Sequence, residues 1–117
     1  MNKIIKKPWG HEEIIHEEGN ARLKRLVIKN GESLSLQYHR KKSEFLICVK
    51  GEAVIDLKQK SVKQILLPCG ASCFIEQRMV HQIHAKADCE IIELACGDDE
   101  DIIRLKDKYG RIKTRKI

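Results

Sequence analysis

Two short β-strands separated by a charged turn are predicted by the stretch Gly31-Glu-Ser-Leu-Ser-Leu-Gln-Tyr-His-Arg-Lys-Lys-Ser-Glu-Phe-Leu-Ile-Cys-Val-Lys-Gly51. Side chains alternate between the two faces of a strand, so Gln37 and His39 share one polar face of the first predicted strand. Two ligands of one metal ion would need that spacing. Glu44 begins the second predicted strand, directly before the apolar run 45–49. Its carboxylate is therefore either a charge at the rim of a sheet or a third ligand.

Similar short runs recur along the chain, and turn residues separate several of them. The predicted strands are His11–Glu17, Arg22–Lys29, Ser33–His39, Glu44–Lys50, Ala53–Leu57, Val62–Leu67, Ser72–Ile75, His81–Ala85 and Cys89–Ala95. Many short strands at near-regular spacing indicate an all-β sandwich or a closed barrel. The segment from Asp98 onward breaks the pattern, and we expect it to form a short helix or an ordered loop.

Length and charge narrow the class of protein. The 117 residues fit one domain, which we expect to span 1–117. A net charge of +6 suits an anionic partner, either a phosphorylated small molecule or a nucleic acid. Aromatic side chains on which bases could stack are scarce, so we expect no nucleic acid. A solvated basic surface is the alternative explanation of the charge.

The cysteines and the N-terminal residues bear on the compartment. No apolar run is long enough to cross a membrane, and the N-terminus lacks the apolar core of a secretion signal. Five cysteines without a C-x-x-C pair suit a reducing cytoplasm, where we expect them to be small buried hydrophobic residues. Cys69 and Cys73 as a metal-binding pair are a weaker alternative, because a metal needs three or four ligands.

His81 begins another predicted strand and adds a second imidazole to the candidate ligands. A single histidine in a strand is more often a structural residue that has found a hydrogen-bond partner. The set of Gln37, His39, Glu44 and His81 is more informative than its members. Imidazole, carboxylate and amide oxygen together suit a divalent ion such as zinc, cobalt, manganese, nickel or iron. We expect the four residues to bind one such ion, whose identity the sequence leaves open.

These residues resemble the two cupin motifs. In the first motif a glycine is followed by H-x-H, a glutamate and a closing glycine, and Gln37 stands at the first histidine position. The stretch from Gly70 to His81 resembles the second motif more loosely, because Glu76 and Arg78 replace its usual proline and glycine. The resemblance implies an all-β cupin barrel, similar to a jelly roll, as a single domain with a short C-terminal tail.

Nearly the whole chain also resembles the cupin domain of type II mannose-6-phosphate isomerases, which have glutamine at the same ligand position. The matching segments are Lys7-Pro-Trp-Gly10, Leu23-Lys-Arg-Leu26 and Asp99-Glu-Asp-Ile-Ile-Arg-Leu-Lys-Asp-Lys-Tyr-Gly-Arg111. Lys42 stands where this family has an arginine implicated in isomerisation. A lysine lacks the planar two-pronged geometry with which arginine binds phosphate.

The resemblance implies an aldose–ketose isomerase that interconverts mannose 6-phosphate and fructose 6-phosphate, and it implies a homodimer. Lys42 and His84 are the candidates for proton transfer, although alternation places His84 opposite His81 and favours a surface role for it. Arg25, Arg104 and Arg111 are candidates for binding the substrate phosphate. For each arginine, a solvated surface position is an equally good alternative.

Two other functions stay open. A stand-alone metal cupin could act on another sugar or sugar nucleotide in polysaccharide synthesis, and the altered segment from Gln37 to Glu44 favours this reading. An oxygen-using dioxygenase is a variant that the glutamine ligand does not favour. A sugar-binding or regulatory cupin without catalysis would lack an efficient base. Measured turnover would separate the binding protein from the enzymes.

Overall fold

The computed structural model describes residues 2–111, and all of their regular structure is β-strand. Within that range no helix is long and apolar enough to cross a membrane. The strands are β1 Lys3–Lys7, β2 Gly10–Glu18, β3 Ala21–Ile28, β4 Leu36–Tyr38, β5 Ser43–Lys50, β6 Glu52–Lys58, β7 Val62–Pro68, β8 Ser72–Ile75, β9 Val80–Ala85, β10 Cys89–Cys96 and β11 Ile103–Lys106. The all-β prediction is confirmed.

The strands form two antiparallel sheets. One sheet has six strands in the order β1-β2-β3-β10-β5-β8, and the other has five in the order β11-β4-β9-β6-β7. Apolar side chains from both sheets meet in one buried core, which includes Leu26, Leu46, Ile55, Ile83 and Ile91. Alternation along each strand supplies these inward side chains.

The interior changes from apolar to polar along four central strands. Ile91 of β10 pairs with Leu26 of β3 and with Cys48 of β5, and this row belongs to the apolar part. One step further along, Glu93 of β10 pairs with Lys24 of β3, and both side chains are buried. From the apolar to the polar end, the inward side chains are Ile28, Leu26 and Lys24 in β3, and Cys89, Ile91 and Glu93 in β10. They are Cys48, Leu46 and Glu44 in β5, and Ala85, Ile83 and His81 in β9. One half of the interior is therefore a core, and the other half is a polar site.

Two strands at sheet edges differ from the prediction. β1 was not predicted, because three of its five residues are lysines and its pairing with β2 is a tertiary contact. β11 lies where we expected a helix or a loop, and that expectation is wrong for Ile103–Lys106. Its backbone pairs with β4, a distant segment, so the local sequence carries no signal for it. The predicted strand Ser33–His39 is shortened to Leu36–Tyr38.

All five cysteines are free thiols, but they fall into two groups. Cys48, Cys73 and Cys89 are buried, as expected, whereas Cys69 and Cys96 are exposed, contrary to the expectation. Burial raises the pKa of the Cys89 thiol to about 11. The buried thiols are therefore neutral, apolar parts of the core.

Candidate metal centre

Three buried side chains converge in the polar half of the interior. His39 directly follows β4, Glu44 lies in β5 and His81 lies in β9. Their exposed fractions are 2%, 4% and 1%. One possible ligand atom of each residue lies within 4.8 Å of those of the other two. The fold thus brings together three of the residues that the sequence analysis selected as metal ligands.

Backbone carbonyl groups orient both imidazole rings. Nδ1 of His39 donates to the carbonyl oxygen of Asp101 at 2.6 Å, and Nδ1 of His81 donates to that of Met79 at 2.9 Å. Because a carbonyl oxygen can only accept, each Nδ1 carries a proton, and a neutral ring then has its lone pair on Nε2. The Nε2 atoms of His39 and His81 lie 2.6 and 3.4 Å from the same atom, Oε1 of Glu44.

This arrangement fits a divalent metal ion. Nε2 of His81 is buried and has no hydrogen-bond partner among residues 2–111, although buried polar atoms normally have one. Two imidazole nitrogens and a carboxylate oxygen are donors that suit zinc, iron, manganese, cobalt and nickel. An ion bound among the three groups would accept the free lone pair and balance the charge of Glu44.

Gln37, the fourth predicted ligand, lies beside these three residues. It is buried in β4, where it pairs with His81 of β9 on one side and with Arg104 of β11 on the other. Directly paired residues of antiparallel strands have their side chains on the same face of the sheet. Arg104, Gln37 and His81 therefore form a row across the five-stranded sheet, and this row joins the candidate metal centre to a cationic side chain.

A second buried carboxyl group, that of Glu93, shares a hydrogen bond with Glu44. Burial and the charge of Glu44 raise the pKa of Glu93 well above its usual range, so Glu93 is the proton donor of the pair. Burial also acts to raise the pKa of Glu44, but the hydrogen bond from Glu93 and the neighbouring His39, His81 and Lys42 hold it well below its usual range. The sequence analysis missed Glu93. Alternation could have identified it, because Glu93 lies on the otherwise apolar inner face of the predicted strand Cys89–Ala95.

Two buried lysines line the same cavity as His39 and Glu44, and they share the carboxylate of Asp99. Nζ of Lys24 lies 2.8 Å from Oδ2 of Asp99, and Nζ of Lys42 lies 3.5 Å from Oδ1. Burial acts to lower the pKa of Lys24, but Asp99 and Glu12 outweigh burial and raise it. The sequence analysis did not select Lys24 or Asp99. Alternation could have identified Lys24, because it places Lys24 on the same face as the buried Leu26. Asp99 lies outside the strands, so no periodic pattern indicates that it points into the cavity.

Two of the predicted arginines reach the same cavity from the C-terminal segment. Arg111 donates to both carboxylate oxygens of Asp107, at 2.7 and 3.2 Å. Nε of Arg104 is buried and has no hydrogen-bond partner among the described residues. Burial and the positive charge of Arg111 lower the pKa of Arg104, although a guanidinium keeps its charge in proteins. Arg104 is thus a cation in the cavity wall.

Two other predicted site residues lie outside this cavity. Nε2 and Nδ1 of His84 lie 3.0 Å from Oδ2 of Asp56 and 2.7 Å from Oγ of Ser33. His84 faces away from His81, because it lies three positions further along the same strand. The structure therefore does not bring His84 to the metal centre.

Arg25 is also remote from the metal centre. Its side chain is held by Glu13 and Glu90, at 3.2 and 3.0 Å. Arg25 neighbours the inward-facing Lys24 in β3 and so points to the opposite face of the sheet. Of the three predicted phosphate-binding arginines, Arg25 is the one that the fold separates from the cavity.

The cavity has a volume of about 920 Å³ and is lined by both sheets and by the segment that follows β10. Its charged lining residues are Lys7, Lys24, Lys42, Arg104, Arg111, Glu12, Glu44, Glu93, Asp99 and Glu100. No Phe, Trp or Tyr is among the described residues that line it. A few convergent polar groups in a concave site are typical of small-ligand binding. The lining suits a small polar anion better than a nucleobase, which usually stacks on an aromatic ring.

Curated relatives match nearly the whole chain, but the chain spans only about a quarter of their length. The alginate biosynthesis protein AlgA of Pseudomonas aeruginosa is 34% identical over 112 residues, which cover 92% of this chain and 23% of AlgA. The xanthan biosynthesis protein XanB of Xanthomonas campestris pv. campestris is 31% identical over 115 residues, which cover 94% of this chain and 24% of XanB. The mannose-1-phosphate guanylyltransferase ManC of Salmonella typhimurium is 28% identical over 120 aligned positions, which cover 96% of this chain and 24% of ManC.

Solved structures of low sequence identity share the fold. The capsular polysaccharide assembling protein CapF of Staphylococcus aureus has a TM-score of 0.81 at 15% identity, over 91% of this chain and 32% of that one. Streptomyces PAC13 with uridine has a TM-score of 0.76 at 10% identity, over 91% and 85%. A cupin protein of Desulfovibrio desulfuricans has a TM-score of 0.60 at 20% identity, over 73% and 79%. Residues 1–107 match the family model described as "Mannose-6-phosphate isomerase C-terminal". The chain therefore has a cupin fold and belongs to the mannose-6-phosphate isomerase C-terminal family.

Proposed function

We propose that the cavity is the active site of a metal-dependent aldose–ketose isomerase for a phosphorylated hexose, most simply mannose 6-phosphate and fructose 6-phosphate. One observation carries the proposal. His39 and Glu44, which converge with His81, line the same cavity as Arg104, whose Nε has no partner among the described residues. A site for a metal ion and a site for a phosphate thus occur together. Membership of the isomerase family supports the same reaction.

His39, Glu44 and His81 would hold the metal ion, with Gln37 as the fourth protein ligand. A bound divalent ion would polarise the sugar carbonyl as a Lewis acid and stabilise the negative charge that develops on its oxygen. The mixed nitrogen and oxygen donors suit zinc, cobalt, manganese, nickel or iron.

The substrate phosphate would bind to Arg104. Charge-assisted hydrogen bonds between a guanidinium and a phosphate are among the stronger polar contacts in proteins. Arg111 lies close enough to lower the pKa of Arg104, and its own charge is already matched by Asp107. Arg104 would therefore make the direct contact to the phosphate, while Arg111 stays paired with Asp107. We expect Arg25, held outside the cavity by two glutamates, to take no part.

The isomerisation moves a proton from C2 of the aldose to C1 and another from the oxygen at C2 to the oxygen at C1, so that the carbonyl group moves from C1 to C2. Lys42 is the proposed group for this proton transfer, because it lines the cavity beside Glu44 and His84 does not. Its Nζ is buried and lies 3.5 Å from Asp99, which holds the side chain toward the site. A general acid–base group must lie within hydrogen-bond reach of the atom that it serves.

The substrate class follows from the lining. The absence of Phe, Trp and Tyr among the described lining residues favours a sugar phosphate over a sugar nucleotide. The names of AlgA and XanB refer to the biosynthesis of alginate and xanthan. By this likeness we propose that the chain serves polysaccharide synthesis. The predicted cytoplasmic location and homodimer stay predictions, and the molar mass in solution would test the dimer.

The test is isomerisation of mannose 6-phosphate after the protein has been loaded separately with zinc, cobalt, manganese and nickel. Metal content is measured on the same samples. Turnover with at least one metal, lost in His39→Ala, would support the proposal. Unphosphorylated mannose and mannose 1-phosphate are matched control substrates, which we expect to react at least tenfold more slowly. Metal-loaded protein that turns over none of these compounds would contradict it.

A second candidate is an activity on another phosphorylated sugar, and Lys42 favours it. The related isomerases have an arginine at this position, which can bind phosphate with two parallel hydrogen bonds, whereas a lysine acts as a point charge. The same metal-loaded protein would be assayed against phosphorylated aldoses and ketoses of other chain lengths. Binding of these compounds without any turnover would instead indicate a sugar-binding cupin.

A further inference from the structure

Asp101 joins the segment that follows β10 to the loop between β4 and β5. Its carboxylate accepts hydrogen bonds from the backbone N–H groups of Arg40, Lys41 and Lys42, at 3.1, 2.8 and 3.1 Å. Its backbone carbonyl accepts the Nδ1–H bond of His39 at 2.6 Å. Four successive residues of the loop are thus held by one aspartate, which the sequence analysis did not select.

Each contact has a consequence at the metal centre. The bond to the carbonyl leaves Nε2 of His39 facing Glu44, 2.6 Å from its carboxylate. Groups that bind the outer nitrogen of a ligand histidine fix its tautomer and its ring orientation. Successive backbone N–H groups that bind one anion also fix the dihedral angles of a loop. That loop places Lys42 in the cavity wall, two residues before Glu44.

We propose that Asp101 is a positioning residue that holds both His39 and Lys42 in their working orientations. The inference deepens the proposed metal centre but does not depend on the reaction catalysed there. The carboxylate fixes the segment to the loop, and this attachment keeps the carbonyl of the same residue opposite Nδ1 of His39. Removing the carboxylate would therefore release the ring even though the carbonyl remains.

Three variants separate positioning from general stability. Asp101→Ala removes every side-chain bond to the loop, while Asp101→Asn retains one oxygen acceptor. Asp98→Asn is the matched control, because it removes a negative charge from the same segment, where the Asp98 carboxylate accepts a local bond from the Glu100 N–H. The bond from the Asp101 N–H to the backbone carbonyl of Asp98 is kept in this variant. Circular dichroism and the thermal midpoint establish that each variant is folded.

The first measurement is the ¹H–¹⁵N spectrum of the His39 ring, which requires neither metal nor turnover. We expect the wild type and Asp98→Asn to show one tautomer with a protected Nδ1–H. Asp101→Ala should lose that protection, and in Asp101→Asn the Nδ1–H should be less protected than in the wild type but more than in Asp101→Ala. An unchanged His39 spectrum in Asp101→Ala would overturn the inference. If Asp101→Ala does not fold, Asp101→Asn decides the question in the same way.

The second measurement is the dissociation constant for cobalt, by titration of the visible absorption of the bound ion. Loss of a group that supports a metal ligand typically weakens metal binding by about 10–100-fold, and we expect at least about tenfold for Asp101→Ala. Equal affinities of wild type and Asp101→Ala would count against positioning. A wild type that binds no cobalt would refute the metal centre instead, and the His39 spectrum would then decide on Asp101 alone.

Discussion

His39 and His81 present the same ring atom, Nε2, to one carboxylate oxygen, with their ring centroids 5.3 Å apart. On the other side of each ring, Nδ1 donates a hydrogen bond to a backbone carbonyl oxygen, which fixes the orientation of the ring. The two lone pairs are thus oriented before any ligand binds. Preorganised groups of this kind lose little conformational entropy when an ion binds.

Replacing either histidine by alanine should remove the bound metal without unfolding the protein, because the core lies in the other half of the interior. We expect His39→Ala and His81→Ala to lose nearly all zinc after loading and desalting, measured by elemental analysis. Glu44→Ala should weaken binding less completely if the carboxylate contributes one oxygen. His84→Ala is the control, since His84 lies on the outer face, and it should retain full metal content. Unchanged content in both His39→Ala and His81→Ala would refute the site.

Replacing Arg104 should weaken the binding of a phosphorylated substrate. A hydrogen bond to a charged group contributes about 1.5–3 kcal/mol, so Arg104→Gln should raise KM by about 10–100-fold for the phosphorylated sugar. Arg25→Gln removes the same charge outside the cavity and should leave KM within about twofold. Steady-state kinetics on both variants make the comparison. An equal effect of the two substitutions would show that only the overall charge of the protein matters.

Asp99 should stabilise the protein in a pH-dependent way. Burial acts to raise its pKa, but the hydrogen bond from Lys24 and the surrounding cations lower it below the ordinary value of 3.8. Because the folded-state pKa lies below the unfolded one, the stabilisation is complete above about pH 4 and is lost as the pH falls through the folded-state pKa. At pH 7 we expect Asp99→Asn to cost about 2 kcal/mol, since it leaves the buried Lys24 poorly paired.

Urea unfolding of wild type and Asp99→Asn between pH 2 and pH 7 would measure this dependence. The difference between the two proteins should shrink at the acid end. Arg22 pairs with Asp99 at 2.7 Å and with Glu17 at 3.2 Å. Glu17→Gln is therefore the control, because Glu17 is about half exposed and exposed pairs contribute little. A difference that stays constant with pH would contradict the assigned role of the Asp99 charge.

Arg78 has an unfavourable backbone conformation that glycine would relieve. Its φ angle is 66°, and its N–H donates to the carbonyl oxygen of His39 at 2.6 Å. A left-handed conformation costs a non-glycine residue about 1–2 kcal/mol, and the added chain entropy of glycine when unfolded offsets part of this. We expect Arg78→Gly to raise the free energy of unfolding by up to about 1 kcal/mol. Arg78→Ala tests the side chain alone, and equal stability of the two variants would refute the backbone explanation.

Local patterns predicted much of the fold and part of the site. Alternation within single strands indicated that Gln37 and His39 share a face and that His84 turns away from His81. The same rule could also have identified Glu93 and Lys24, because both interrupt inward-facing apolar positions. Such predictions succeed because the direction of a side chain along a strand depends only on the position of its residue. The family resemblance identified the same candidate ligands and was confirmed as the family of the chain.

Contacts between distant segments decided the rest. Arg25 and Arg104 look equivalent in the sequence, but strand pairing places one beside glutamates outside the cavity and the other beside Gln37. Asp99 and Asp101 lie in a segment without any local periodicity, yet they hold Lys42 and His39. The strand β11 likewise exists because β4 supplies its hydrogen-bond partners. Pairing and loop docking depend on the free energy of the whole assembled sandwich, so no single segment of the chain encodes them.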